Sequence, residues 1–218
     1  MISPHHHLRY SHACLFLLVL AMPLNASLVQ VSSANFEAND QILWGSLGGD
    51  LTPLSPPVAL LSQAGRPASL SGSTAFAVFT GSTYNADFLP VDTVVSAFDL
   101  NSFTSLTTGI RITFLVPALA VGAQIQVNAF GPFQGTLEAF DSNLVSLGSV
   151  FVNSTVQGNG DGSAPFLGLH SSTLISSVLF TSNSTGVAID SLQIQSTPEP
   201  DGLVLVLPAL AALAILRK

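Results

Sequence analysis

Hydrophobic and polar residues alternate with a period of two through most of this chain. Ala123 to Phe130 places Ile125 and Val127 on one face and Gln124, Gln126 and Asn128 on the other, the pattern of a half-buried strand. Ile110 to Val116 is β-branched and aromatic. Gly135 to Phe140, Leu144 to Val152, Pro165 to His170, Leu174 to Thr181 and Gly186 to Gln195 continue the series. Earlier strands are predicted over Ser27 to Glu37, Ala75 to Thr80 and Thr93 to Leu100. Turn-forming clusters such as Asp141-Ser142-Asn143 and Asn159-Gly160-Asp161-Gly162 separate many of them. About nine to eleven short strands so arranged predict an all-β, antiparallel sandwich over 27–196. The stretch 45–73 breaks the pattern. It holds Pro53, Pro56, Pro57 and Pro67 among Ser, Gly and Leu, and is expected as a long loop with a short strand or helical turn near Val58 to Leu61.

Both ends are apolar in a different way. Ala13 to Leu24 is a 12-residue hydrophobic run behind a weakly basic start with His5, His6, His7 and Arg9, and Asn25-Ala26-Ser27 follows it. That is the layout of a secretory signal peptide over 1–26, helical and too short for a permanent span. Cys14 lies inside this run. At the other end, Leu203 to Leu216 is a 14-residue apolar run closed by Arg217 and Lys218. As a helix it would cover about 21 Å, against a hydrocarbon core of about 30 Å. Pro208 would kink it, which suits a temporary anchor. The basic pair would stay on the cytoplasmic side.

Charge narrows the function classes. Between the two end segments, ten acids stand against Arg66 and Arg111 alone, a net charge of −8. Phosphate recognition needs Lys and Arg, so nucleic acid is excluded as a partner. With Cys14 discarded the body has no cysteine, and its stability must come from a packed core.

The tail Thr197-Pro198-Glu199-Pro200, followed by the 203–216 span and Arg217-Lys218, resembles the PEP-CTERM sorting signal of bacterial exosortase substrates. The resemblance covers Pro198 to Lys218. It implies export, transient membrane residence through 203–216, recognition at Pro198-Glu199-Pro200 by a membrane-embedded exosortase, and delivery to the cell surface or exopolysaccharide matrix. A plain C-terminal anchor and a glycosylphosphatidylinositol signal are the alternatives for the same residues. The second half also resembles the jelly-roll domains common in such proteins. The residues that carry this are Gly135 to Asp141, Leu144 to Val152, Phe166-Leu167-Gly168, Val178-Leu179-Phe180 and Val187 to Leu192, within 109–194.

Candidate chemistry is sparse. Asn35-Phe36-Glu37 and Ile189-Asp190 resemble elements of galactose-binding-like and carbohydrate-binding jelly rolls that hold a structural calcium. The resemblance implies Glu37 and Asp190 as ligands; backbone carbonyls, with Asp40 as an optional further ligand, would have to complete the six to eight oxygens calcium takes. Calcium is the one cofactor candidate. Asn159-Gly160-Asp161-Gly162 reads as a tight turn or half of a calcium turn. For glycans, Trp44 and Tyr84 are the candidate stacking platforms, with core or loop packing as the alternative for each. His170 is the body's only histidine, and no nucleophile elbow, zinc helix or phosphate loop occurs. A carboxylate pair including Glu138 would be needed for glycoside hydrolysis. The sequence therefore predicts a non-catalytic, exported structural or adhesive protein. Its alternative is a carbohydrate-binding module of the exopolysaccharide matrix, and a secreted hydrolase stands third.

Overall fold

The computed structural model describes residues 27–84 and 86–197. The signal peptide expected over 1–26, the sorting residues Pro198, Glu199, Pro200, Arg217 and Lys218, and the apolar span 203–216 lie outside the described residues. The described chain is all-β apart from two 3-10 turns, Ser33–Asn35 and Trp44–Leu47. Its strands are β1 (Leu28–Val31), β2 (Asp40–Ile42), β3 (Thr52–Leu54), β4 (Val58–Leu61), β5 (Pro67–Ser71), β6 (Phe76–Thr80), β7 (Thr93–Ser96), β8 (Phe98–Asp99), β9 (Thr104–Ser105), β10 (Ile110–Val127), β11 (Gly131–Phe140), β12 (Ser146–Val156), β13 (Phe166–Ser182), β14 (Val187–Ile189) and β15 (Leu192–Ser196). All but β8 and β9 join one antiparallel network of thirteen strands.

The spine of the network is the pair β10 and β13. They pair over Ile110–Thr113 with Ser177–Phe180, and again over Ala120–Gln124 with Phe166–His170. Between these stretches the register slips, and residues 114–117 and 171–174 bulge from the two strands. The sequence predicts two strands on each side of this point, 110–116 and 123–130, then 165–170 and 174–181. The structure joins each couple into one bent strand. Pro117 sits in the bulge, where no ladder N–H is required of it. Partners change at the bend. Arg111–Phe114 pairs with β5, whereas the later part of β10 pairs with β15. On β13, the C-terminal half takes β11 and the N-terminal half takes β1.

The last residues of β10, Ile125–Val127, pass to a second layer made with β14, β7, β6 and β3. The two layers face each other across one core. Phe76, Val95, Val187 and Ile189 from the second layer meet Ile112, Leu137, Val178 and Phe180 from the first. The opposite side of the second layer is covered as well. Ala77, Phe79, Val94 and Ala188 pack there under Tyr84, Phe88, Phe98 and Phe133. Burial on both faces explains why Phe76-Ala77-Val78-Phe79 and Val187-Ala188-Ile189 are continuously apolar rather than alternating.

The region 45–73, expected as a long loop with a short strand or helical turn near Val58 to Leu61, has that strand as β4 and is otherwise more regular than expected. It contains β3 and the β4–β5 hairpin, which pairs Val58–Leu61 with Pro67–Leu70. Its prolines do not forbid this: Pro53 is in the three-residue β3, whose one partner is β6, and Pro67 opens β5, both positions that tolerate a missing ladder donor.

The covering layer is fastened by Asp87, which is 1% exposed. Its carboxylate accepts the backbone N–H groups of Gln157 and Asn159 and the Nε2 of Gln126, at 3.0, 2.9 and 3.0 Å. Burial pushes the Asp87 pKa up, but these donors outweigh it and hold the group below its ordinary value. A carboxylate with a depressed folded pKa contributes stability above its unfolded pKa of about 3.9, and that contribution is lost as pH falls through the folded value. Urea midpoints of the wild type are therefore expected to fall on acidification below about pH 4. Asp87→Asn should be less stable at neutral pH and show a shallower acid limb. Parallel pH profiles for the two proteins would remove Asp87 from this role.

Candidate functional site: a glutamine-lined groove

The outer face of β2, β15, β10 and β13 is the open polar surface that the alternation builds. In β15, Leu192 and Ile194 are buried and Gln193 and Gln195 point outward. Opposed residues of antiparallel strands share a face. Gln193 stands opposite Gln41 of β2 on one side and Gly122 of β10 on the other, and Gly122 stands opposite Gly168 of β13. The neighbouring rows are Gln195, Ala120 and His170, then Gln124 and Phe166. Gln126 belongs to the same face, but the covering layer buries it against Asp87. The groove is thus the uncovered continuation of a face that is capped further along.

Its floor is made of glycine for a steric reason. The Phe166 ring lies across Gly122 and Gly168, and a Cβ at either would stand 2.4 or 2.6 Å from a ring carbon. Phe36, from the segment between β1 and β2, meets Phe166 edge-on with centroids 5.5 Å apart. The two rings form a low ridge with hollows on both sides. Asn39, Gln41, Gln63 and Gln193 line an open hollow of 560 Å³. Gln193 continues into a second of 520 Å³ with Gln124, Phe166, Ser163 and Asp190. Beyond Phe36 lies a smaller one with Glu37, His170 and Gln195.

The amides differ in their engagement. Gln41 donates to Gln63 at 2.8 Å and Gln124 donates to the Gly162 carbonyl at 3.4 Å. The side chains of Gln193 and Gln195 have no hydrogen-bond partner among the described residues. Each can offer two donors and a carbonyl acceptor. Such a surface can hydrogen-bond hydroxyl groups in both senses while the phenyl ridge meets apolar C–H faces.

Of the sequence-predicted site residues, Glu37 and Asp190 border the groove, whereas Trp44 and Tyr84 fall elsewhere. Trp44 and Tyr84 are not platforms: they are 0% and 2% exposed. Each is packed in one of the two cores, and each uses its polar tip internally. Trp44 Nε1 donates to the Asp190 carbonyl at 2.8 Å, and the Tyr84 hydroxyl donates to the Gly186 carbonyl. They clamp the chain just before and just after β14. Glu37 and Asp190, expected to share a calcium, line different hollows. Asp40, the optional further ligand of that shell, is already engaged by Ser62 Oγ, the Ala64 N–H and Arg66. No group of three or more metal-ligating side chains occurs among the described residues. Asp190 lies with Asp92 at the groove's end; burial, and then the Asp92 charge, push its pKa up. Asp161 accepts the Ser163 N–H at 3.0 Å within its own turn. Glu138 accepts a hydrogen bond from Ser146 Oγ on the exposed surface of β11. Sequence reasoning missed the groove's glutamines, although the Leu-Gln-Ile-Gln alternation at 192–195 carried the signal.

Fold and face together define an antiparallel β-sandwich with an amide-lined surface groove. No family model matches the chain, and no curated protein matches it. Among solved structures it is similar to a DUF4465 family protein from Bacteroides caccae, at 12% identity and a TM-score of 0.34, covering 78% of this chain and 100% of that one. It is also similar to CsCBM6-3 from Clostridium stercorarium, solved in complex with cellobiose, at 12% identity and a TM-score of 0.24, covering 78% and 94%.

Proposed function

We propose that the protein is an exported, non-catalytic β-sandwich that binds a neutral polysaccharide chain along the Gln41–Gln193–Gln124 groove. The observation that carries this reading is the pair of unengaged amides, Gln193 and Gln195, beside a phenyl ridge on a glycine floor. Among the described residues, Glu37, Asp92 and Asp190 border the hollows and no Lys or Arg lines them, so an anionic polymer would be repelled. The end segments supply the delivery: signal peptide 1–26 for export, and Pro198 to Lys218 as an exosortase signal that releases the body to the surface or matrix. Holding polysaccharide there is how a structural or adhesive component would act. The reading includes no turnover.

Affinity gel electrophoresis against neutral glucan, mannan and galactan, with alginate as the anionic control, tests it. Retardation is expected in at least one neutral gel and not in alginate. The double variant Gln41→Ala, Gln193→Ala removes two amides at about 1 kcal/mol each, so affinity should fall by about thirtyfold with the fold unchanged. Free migration of the wild type through every gel would sink the reading.

A further inference from the structure

The bend of β10 and β13 gathers three things at one corner. The first is an exposed aliphatic rim. Leu61 pairs with Pro67 at the end of the β4–β5 hairpin, Ala68 pairs with Phe114, and the chain runs on through Leu115, Val116 and Pro117 toward the Ala118–Ile175 pair, which Leu174 precedes. Leu61, Leu115, Val116 and Leu174 are 62, 70, 41 and 45% exposed. The second is the end of the described chain, because Ser196 pairs with Ala118. The third is its beginning, since Ser27 and Ser172 exchange hydrogen bonds of 3.0 and 3.1 Å. Exposed aliphatic residues grouped in this way mark an interaction surface.

The sequence says what covers it. Five residues, Pro198 to Gly202, separate Thr197 from the apolar run 203–216. Even fully extended they reach at most about 20 Å. Whatever bilayer holds 203–216 is therefore kept close to this corner rather than to the groove's far end or the covering layer. The rim residues Leu61, Pro67, Leu115 to Pro117 and Leu174 carry no charge, so an acidic body meets lipid without placing a carboxylate in the contact. We infer that while the chain is anchored this rim rests on the phospholipid bilayer. The body then stands on the membrane in a fixed pose instead of tumbling on its tether. The inference rests on the reading of 203–216 as a membrane segment.

The test uses the full chain with Cys14→Ser and one of Leu115→Cys, Leu174→Cys or Phe130→Cys, each labelled with an environment-sensitive dye. Phe130 is a matched exposed control, 64% accessible, three residues beyond Val127, the far end of β10, which is about 30 Å along the strand from Ala118. The proteins are mixed with phosphatidylethanolamine–phosphatidylglycerol vesicles, with and without brominated acyl chains, and floated. The expected result is co-flotation, with blue-shifted and bromine-quenched emission at 115 and 174 and neither effect at 130. Co-flotation with equal emission at all three positions overturns the inference and leaves the anchor reading standing. A blue shift at 115 and 174 that is the same without vesicles means that the tail itself covers the rim, and also overturns it. Failure to float overturns the anchor reading and the inference with it.

Discussion

Trp44→Ala is expected to lower folding stability by about 3–5 kcal/mol, the largest effect of any single truncation considered for this fold. The indole is fully buried in the core between the two layers. Its removal leaves a large cavity and deprives the Asp190 carbonyl of its donor. That carbonyl sits where the chain leaves the second layer at β14 and enters the first at β15, so the loss falls on the joint between layers. Trp44→Phe keeps most of the volume and loses the hydrogen bond, and should cost about 1–3 kcal/mol. Urea denaturation followed by circular dichroism separates the two. Polysaccharide retention by folded Trp44→Phe should match the wild type, because the ring is no part of the groove. A wild-type midpoint for Trp44→Ala would show that the indole does not fill the core, and retention lost in folded Trp44→Phe would return it to the binding surface.

How much of this could be read in the chain depends on what each residue faces. Alternation was a sound guide wherever one side of a strand meets the core and the other meets water, as in β11 and β15. It joined what the structure splits at Gly186 to Gln195, where β14 and β15 belong to different layers, and it failed at two further places for physical reasons. At β10 and β13 the local pattern breaks at Pro117 and Ser171–Thr173, but long-range pairing carries both strands across the break. At 45–73 the short strand expected near Val58 to Leu61 is β4, but the turn-forming composition hides β3 and β5, whose pairing with β6, β4 and β10 lies in tertiary contacts. Trp44 and Tyr84 were attractive as platforms because both sit beside irregular segments. Those segments turn inward, and buried N–H and O–H groups then need internal acceptors. Glu37 and Asp190 come from the first and last parts of the chain, and their separation into different hollows depends on a packing that sequence spacing does not encode. The amide groove is the reverse case. Its residues were visible as the polar half of ordinary strands, and only the pairing of β2, β15, β10 and β13 shows that they form one surface.

Gly122→Ala should abolish polysaccharide retention while leaving every groove amide in place. The added methyl would stand 2.4 Å from the Phe166 ring, which the ring can relieve only by swinging off the floor, and 3.0 Å from the Gly168 Cα, an approach set by the backbone. Both glycines are in ordinary extended backbone, so the penalty is steric and not conformational. Overpacking of this kind costs about 1–3 kcal/mol. It would also break the edge contact between Phe36 and Phe166 that shapes the hollows on either side. A second substitution separates lost stability from a lost ridge. In a Phe166→Ala background the obstructing ring is gone and only the 3.0 Å approach to the Gly168 Cα remains, so Gly122→Ala should cost less than it does in the wild type, a coupling that a double-mutant cycle reads directly from melting or urea curves. Binding should stay absent in that double variant under conditions where it is folded, because the phenyl face is missing. If Gly122→Ala alone melts and binds like the wild type, the ring does not occupy the glycine floor. If the double variant binds, the amides suffice and the ridge has no part in recognition.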